Sequence, residues 1–158
     1  MALITKSDFS EYVQFTENIK DRLLDFQITK AETLDFQPLV PALFWTNLTS
    51  TSPALSGELE DFYTDYCKPV LVHFAILRFL IEAGVNLTQF GVVNPLENTS
   101  QPASDAQRAS MRNQYKSDLQ SYLSKFYARL KEVEYTFDGV VYDFDCEPKQ
   151  QKMIIKAI

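Results

Sequence analysis

Residues 69–83 read Pro-Val-Leu-Val-His-Phe-Ala-Ile-Leu-Arg-Phe-Leu-Ile-Glu-Ala, and this stretch decides the fold. Only His73, Arg78 and Glu82 interrupt its apolar residues. A helix that is apolar around nearly its whole circumference must be covered by protein on all sides. The apolar run is also far shorter than the roughly 20 residues that cross a bilayer. We therefore predict the central core helix of a globular domain, with no membrane anchor.

This core helix is predicted to start at the acids of residues 58–61 and to end at residue 83. Proline lacks an amide hydrogen and clashes with the preceding turn, so we expect a kink or a break at Pro69. Gly84 is the expected C-terminal cap. His73 has no second candidate ligand nearby in the sequence, and we interpret it as a hydrogen-bonded core residue rather than a catalytic base.

A second long helix is predicted over residues 105–133. Its apolar side chains recur every three or four residues, which is one stripe at helical period. The stripe consists of Met111, Tyr115, Leu119, Tyr122, Phe126, Leu130 and Val133. A helix of about 29 residues spans roughly 43 Å, more than the core of a small domain. Either the helix extends past its own domain or neighbouring subunits cover the surplus.

Two further helices are predicted before the core helix. The first covers about residues 8–13, and the second runs from residue 17 to the closing prolines Pro38 and Pro41. Residues 46–57 are rich in Ser, Thr, Pro and Gly, which predicts a surface loop.

Residues 85–104 form a predicted loop between the two long helices. Unstructured loops of about twenty residues are uncommon in compact domains and are usually functional or disordered. The apolar first half of this loop is expected to form a short strand or a tip that inserts into a partner. The alternative, that the tip folds back on its own core, stays open. Its candidate subunit-interface residues are Phe90, Gly91, Val92 and Val93.

The C-terminal segment is predicted to contain a small hairpin followed by an extended tail. Asp138-Gly139 between β-forming residues is a strong hairpin signal. Residues 143–158 are expected to become ordered only on assembly, because a terminal tail frays unless something holds it. Three isoleucines near the end suggest docking on a partner and complete the candidate interface: Ile154, Ile155 and Ile158.

A basic flank is predicted along the second long helix. Arg108, Arg112 and Lys116 are spaced four residues apart, and Lys125 and Arg129 repeat that spacing further along the helix. Such a flank could face DNA or an acidic partner. The interpretation as a solvated helix face, balanced by acids elsewhere, is favoured.

Catalytic and metal chemistries lack candidates in this sequence. There is no Gly-rich phosphate loop, nucleophile elbow or paired-cysteine motif, and a single histidine is too few for a triad. Asp143, Asp145 and Glu147 alternate and could bind a divalent cation, but a solvated acidic edge is the favoured interpretation. We predict no enzyme, no catalytic residue, no metal site and no cofactor. A net charge of −6 disfavours non-specific DNA binding.

These elements predict a mainly α fold, a compact bundle of four to five helices with a long loop and a small C-terminal β-hairpin and extended tail. A length of 158 residues fits one domain with a tail. We place the helical domain at residues 1–134, with its loop at 85–104, and the hairpin and tail at 135–158.

The sequence also resembles a family of head-to-tail connector proteins from tailed phages of Bacteroidetes, including crAss-like phages. The resemblance covers most of residues 5–135 and lies in packing and turn patterns. Its segments are Ile28-Thr-Lys-Ala-Glu32, Phe36-Gln-Pro-Leu39, the apolar helix at residues 71–80, Gly91-Val-Val93, and residues 100–104 leading into the Tyr-rich helix.

The resemblance implies a structural virion protein that assembles into a dodecameric ring in the phage neck. Such a ring lies below the portal protein, contacts adjacent neck and tail proteins, and surrounds the DNA exit channel, with non-specific DNA contact at most. The expected location is the virion neck, and the host cytoplasm before assembly. Two other classes stay open: a cytoplasmic helical regulator that binds nucleic acid through Arg108, Arg112 and Lys116, and an enzyme, for which His73 is the one candidate.

Overall fold

The computed structural model describes residues 3–13, 21–50, 55, 57–86, 93–94, 101–102 and 105–144. Within these residues the fold is mainly α-helical with a small C-terminal β-hairpin, which confirms the predicted fold class. A 3₁₀ helix at Lys6–Glu11 comes first. The α-helices that follow are α1 (Asp21–Lys30), α2 (Ala42–Thr49), α3 (Gly57–Phe62), α4 (Lys68–Asn86) and α5 (Asp105–Glu132).

The core helix runs without interruption from α3 into α4. A π-helical segment, Tyr63–Cys67, joins them, and the Lys68 amide bonds to the Tyr63 carbonyl five residues earlier. Pro69 follows this segment directly, so the amide hydrogen that it lacks falls at the change from π-helical to α-helical turns. The predicted alternative of a break at Pro69 is therefore wrong, because a local change of helical pitch accommodates the proline.

The C-terminal end of α4 differs from the prediction as well. Gly84 keeps a helical backbone, and the helix continues to Asn86 instead of ending at a glycine cap. The predicted loop at 85–104 therefore starts later than expected. Two short strands, β1 (Val93–Asn94) and β2 (Gln101–Pro102), pair antiparallel within it.

The middle of α4 lies at the centre of the core. Every residue from 69 to 77 is buried, as the apolar sequence predicted. α5 packs antiparallel along α4: the rings of His73 and Tyr122 have centroids 4.7 Å apart, and those of Phe62 and Phe126 are 5.4 Å apart. The two long amphipathic segments therefore form the framework on which the other helices pack.

The second predicted helix continues through three kinds of helical turn. α1 passes into a π-helical segment, Ala31–Phe36, and then into a 3₁₀ turn, Gln37–Leu39, so the helical path ends at the predicted prolines. The predicted start at residue 17 lies outside the described residues. The first predicted helix is the 3₁₀ helix, which starts two residues earlier than expected because Thr5 and Asp8 form a capping box.

α2 corrects the prediction of a loop over residues 46–57. Its Thr- and Asn-containing sequence has modest helix propensity, but Phe44 and Leu48, one turn apart, are both buried in the core. Burial of these two side chains stabilises a helix that periodicity in so short a segment did not reveal. Because α2 ends at Thr49 and α3 begins at Gly57, the predicted loop is limited to the residues between them.

The C-terminal hairpin consists of β3 (Thr136–Phe137) and β4 (Val140–Val141), as predicted. Asp138 and Gly139 both have positive φ values, 47° and 77°, the conformation that an Asp-Gly hairpin turn requires. Phe137 and Tyr142 are buried in the same hydrophobic cluster as the helices. The hairpin therefore packs on the helical core, while the proposed division of the chain at residue 134 stays a prediction.

The hairpin turn also caps the N-terminus of α3. The Asp138 carboxylate accepts the amides of Glu58 and Leu59 at 3.2 and 3.3 Å, and the Glu58 carboxylate accepts the Asp138 amide at 3.3 Å. Gly57 lies directly below this carboxylate with φ +67°, and an added Cβ would stand 2.5 Å from Asp138 Oδ1. The reciprocal cap joins residues 80 positions apart.

We expect Gly57→Ala to destabilise the protein by about 2–3 kcal/mol in urea unfolding. The positive φ costs about 1–2 kcal/mol for a residue with a Cβ, and displacing Asp138 removes a cap that contributes about 1 kcal/mol. Gly139→Ala is the matched control, because Gly139 has φ +77° but nothing within 4 Å of an added Cβ. Equal losses in the two variants would contradict the role of the cap.

Candidate assembly surface

The N-terminal half of α5 is less buried than its C-terminal half. The buried residues of this helix are Leu119, Leu123, Phe126 and Leu130, all in its second half. None of residues 105–118 is buried by the part of the chain that the structure describes. These fourteen residues span about 21 Å. We call them the overhang. Tyr115 within it packs against the core, with its ring centroid 6.2 Å from that of His73, so both predicted alternatives for the surplus helix length stay predictions.

The predicted basic flank divides into paired and unpaired side chains. Arg108 forms an ion pair with Asp105 at 2.6 Å, and Arg129 pairs with Glu132 at 3.0 Å. Lys125 Nζ lies 5.5 Å from the centre of the Tyr122 ring.

Arg112 and Lys116, both on the overhang, are half-buried. Neither forms an ion pair or hydrogen bond with another residue whose side chain the structure describes. Their charges are therefore available to a partner, whereas those of Arg108 and Arg129 are partly neutralised by their own helix.

The candidate interface residues from the loop and tail lie mostly outside the described residues. Val93 is in β1, opposite Pro102 in β2, so the apolar half of the loop contributes backbone to a strand at this position. Phe90, Gly91 and Val92 are outside the described ranges, as are the three tail isoleucines Ile154, Ile155 and Ile158. Their role in subunit contacts stays a prediction.

Exposed apolar side chains occur where the sequence analysis did not expect them. Phe26 is 54% exposed and Leu34 is 58% exposed, on one helical path through α1 and its π segment. A groove of about 560 Å³ runs beside Phe26 and is also lined by Arg22, Leu23, Asp25 and Thr29. The exposure of Phe26 could not be predicted from the sequence, because Phe26 lies between Leu24 and Ile28, which are equally apolar but buried.

The hairpin and α2 carry the other exposed apolar side chains among the described residues. These are Leu43, Val140 and Val141, with exposed fractions of 52, 39 and 69%. Val141 is the last residue of β4. Phe144, three residues further on, is buried.

His73 is a buried, hydrogen-bonded core residue, which confirms its sequence-based interpretation. Its Nδ1 lies 2.7 Å from the Pro69 carbonyl oxygen; because a carbonyl only accepts, Nδ1 carries the hydrogen. The ring packs against Tyr12 and Tyr122, with centroid distances of 5.3 and 4.7 Å. Burial lowers the pKa of His73, so at neutral pH the imidazole is uncharged and suits an apolar helix interface.

A buried polar cluster that sequence analysis missed joins the N-terminal segment to both π segments. The Glu32 carboxylate accepts the Leu3 amide at 2.6 Å and the Ile4 amide at 3.3 Å. The Tyr63 hydroxyl donates to the Leu3 carbonyl. Glu32 is 7% exposed, and burial raises its pKa against the opposing effect of the two amides. π segments often mark functional or strained positions. Here they position Glu32 and Tyr63 to form hydrogen bonds with the backbone of Leu3 and Ile4.

We expect acidification to stabilise the protein through Glu32. Because the pKa of Glu32 is higher in the folded chain than in the unfolded chain, the folded state binds its proton more tightly. This contribution is full below the unfolded pKa and is lost as the pH rises through the folded pKa. Glu32→Gln keeps the acceptor oxygen without the charge.

Glu32→Gln should therefore be at least as stable as the wild type at pH 7. Its advantage should shrink as the pH falls toward 4, measured by urea unfolding at each pH. Glu60→Gln, at an exposed carboxylate, is the control and should leave the pH profile unchanged. A constant difference between Glu32→Gln and the wild type at all pH values would contradict the raised pKa.

A second buried carboxylate, Asp35, forms a two-pronged ion pair with Arg78 of α4. Arg78 donates from Nε to Asp35 Oδ2, and from a terminal nitrogen to Oδ1 at 2.7 Å. The Asp35 side chain is 5% exposed and that of Arg78 is 23% exposed. One interruption in the apolar run of α4 is thereby explained, since Arg78 neutralises a charge buried on the neighbouring helical path.

The described residues show no cluster of three or more side chains suited to hold a metal ion. Asp145 and Glu147 of the acidic segment lie outside the described ranges, and Asp143 is exposed. The helices of this part of the chain are also too short or too polar to span a bilayer.

The fold and surface together define a mainly α-helical domain with one long, partly exposed helix and a hairpin that packs on the core. The chain belongs to the family of unknown function DUF6712, whose model matches residues 27–143. This match runs from α1 through the hairpin. No curated protein and no solved structure matches the chain.

Proposed function

We propose that this chain is a structural subunit of a head-to-tail connector ring in the neck of a tailed bacteriophage. The ring joins the portal and capsid to the tail around the DNA exit channel. The proposal rests on the resemblance of residues 5–135 to such connector proteins. One structural observation supports it: none of the fourteen residues of the overhang is fully buried by the part of the chain that the structure describes.

The overhang is better suited to an assembly than to an isolated monomer. Most helical stability comes from packing against other elements, and the overhang is only partly covered by the described part of the chain. A neighbouring subunit would supply this packing. Ring closure requires a heterologous interface, in which one surface of each subunit meets a different surface of the next.

In this proposal the partners are other copies of the chain, in a dodecamer, and the portal protein and adjacent neck or tail proteins. Genomic DNA passes through the ring with non-specific contact at most. The subunit is in the host cytoplasm before assembly and in the virion neck afterwards. It carries out no reaction and holds no cofactor.

The test is the copy number of the chain in purified, DNA-filled particles, by quantitative mass spectrometry against the portal protein. A ratio near one copy per portal subunit is expected for a stoichiometric dodecameric ring. Absence of the chain from particles would contradict the proposal.

A second candidate is a cytoplasmic helical regulator that binds nucleic acid. The unpaired charges of Arg112 and Lys116 on a solvent-accessible helix favour it. It predicts that the isolated protein binds DNA with an affinity that falls steeply with salt. The Arg112→Ala/Lys116→Ala variant should then lose binding and part of the salt dependence, whereas Arg129→Ala, at a side chain already paired with Glu132, should change little.

A further inference from the structure

One end of the core helix carries unbalanced negative charge. Residues 57–67 contain four acids and neither lysine nor arginine. Glu58 accepts the Asp138 amide, whereas the other three carboxylates are exposed and have no hydrogen bond or ion pair within the described residues. We call these three the acidic end: Glu60, Asp61 and Asp65.

The acidic end and the overhang lie at opposite ends of the antiparallel α3–α4 and α5 pair. Phe62, next to Asp61, contacts Phe126 with ring centroids 5.4 Å apart. Phe126 is ten residues from Lys116 and fourteen from Arg112, which correspond to about 15 and 21 Å along α5. The negative and positive surfaces are therefore too far apart to neutralise each other within one subunit.

Each surface concentrates like charges at helical neighbours. Arg112 and Lys116 are four residues apart, as are Asp61 and Asp65, and like charges at this spacing destabilise a helix. Neither pair forms an ion pair with an oppositely charged side chain that the structure describes. An interface that brings the two surfaces together would remove both repulsions and would be electrostatically complementary.

We infer that the acidic end of one subunit docks on the overhang of a second copy of this chain. The inference rests on the proposed function for the choice of partner and names the two surfaces that the ring interface would use. Because they lie at opposite ends, every subunit offers one free surface of each sign. The contact is then heterologous and repeats from subunit to subunit, as ring closure requires.

The experiment uses charge reversal in the full-length chain, with self-association measured by sedimentation velocity at low and high salt. The wild type should associate, and more weakly as salt rises. Arg112→Glu/Lys116→Glu and Glu60→Lys/Asp61→Lys should each weaken association at least about tenfold, because each places like charges face to face. Lys125→Glu/Lys131→Glu, with the same change of net charge on exposed residues of the other half of α5, should retain wild-type association.

Two rescue measurements make the test specific. The chain with all four substitutions should recover association. The two double variants, each monomeric alone, should associate when mixed, because each supplies the surface that complements the other. Circular dichroism checks that every variant is folded.

Three results would overturn the inference. The wild type could stay monomeric at all salt concentrations, or Lys125→Glu/Lys131→Glu could weaken association as much as the charge reversals do. The third result is that the variants fold but that neither combining all four substitutions nor mixing the two double variants restores association. Loss of DNA binding in Arg112→Glu/Lys116→Glu with unchanged self-association would overturn it too and support the regulator. The particle copy number separates this inference from the proposed function. If the particles contain the chain at the copy number of a ring but the charge reversals leave self-association unchanged, the proposed function stands and the inference is wrong.

Discussion

The Phe44→Ala variant is expected to lose about 3–5 kcal/mol of unfolding free energy, the usual cost of removing a buried phenylalanine ring. Phe44 is fully buried and connects α2 to the C-terminal segment. Its ring lies 5.1 to 6.1 Å, centroid to centroid, from rings of the core helix and of the hairpin segment. These are Phe62, Phe137, Tyr142 and Phe144.

Urea unfolding with amide hydrogen exchange would measure this effect. Leu43→Ala is the matched control, because Leu43 is adjacent in α2 but 52% exposed, and surface changes usually stay within about 0.5 kcal/mol. In Phe44→Ala, the amides of the hairpin should lose protection before those of α4, since the hairpin packs on the cavity that forms. A loss below about 1 kcal/mol, or uniform exchange, would contradict the position of α2 between core and hairpin.

The Arg78→Met variant is expected to lose about 3 kcal/mol. The substitution leaves the Asp35 carboxylate buried without its bidentate partner, and breaking one side of a buried pair typically costs about 3–5 kcal/mol. Arg78 is partly exposed, so water reaches the site and the lower end of this range applies. Thermal and urea unfolding measure the loss.

Two variants define the cause of this loss. Arg129→Met breaks an exposed pair with Glu132 and should cost at most about 0.5 kcal/mol. Asp35→Leu/Arg78→Met removes both charges and should recover most of the stability, because apolar residues can replace a buried ion pair. If the double variant were less stable than Arg78→Met, the loss would come from packing of the arginine stem rather than from the orphaned charge.

Patterns that span many residues were read correctly from the sequence. The apolar circumference of α4 requires burial in any fold, and the stripe of α5 repeats over seven positions, so both helices were predictable. The Asp-Gly turn was equally clear, because few residue pairs adopt two consecutive positive φ values. The sequence also predicts the role of His73, because a lone histidine buried on an apolar helix satisfies its ring nitrogen by a hydrogen bond to the backbone of its own helix.

Short or locally neutral segments were misread. The eight residues of α2 are too few to give a reliable period, and the helix buries Phe44 and Leu48 in a core formed with distant residues. The continuous helix through Pro69 depends on a π turn, which has no sequence signature of its own. The candidate surface was predicted in part: the basic flank was recognised, but which of its arginines pair with their own helix was not.

By itself, the sequence determined which long segments are helical and which faces are apolar, because periodicity and side-chain chemistry are local properties. Tertiary structure alone decided which polar groups are buried and where the unneutralised charges lie. Glu32 reaches backbone 28 residues away, Arg78 meets Asp35 across 43 positions, and Asp138 caps a helix 80 residues earlier. Such partners depend on how helices pack in space, and no local pattern encodes that packing.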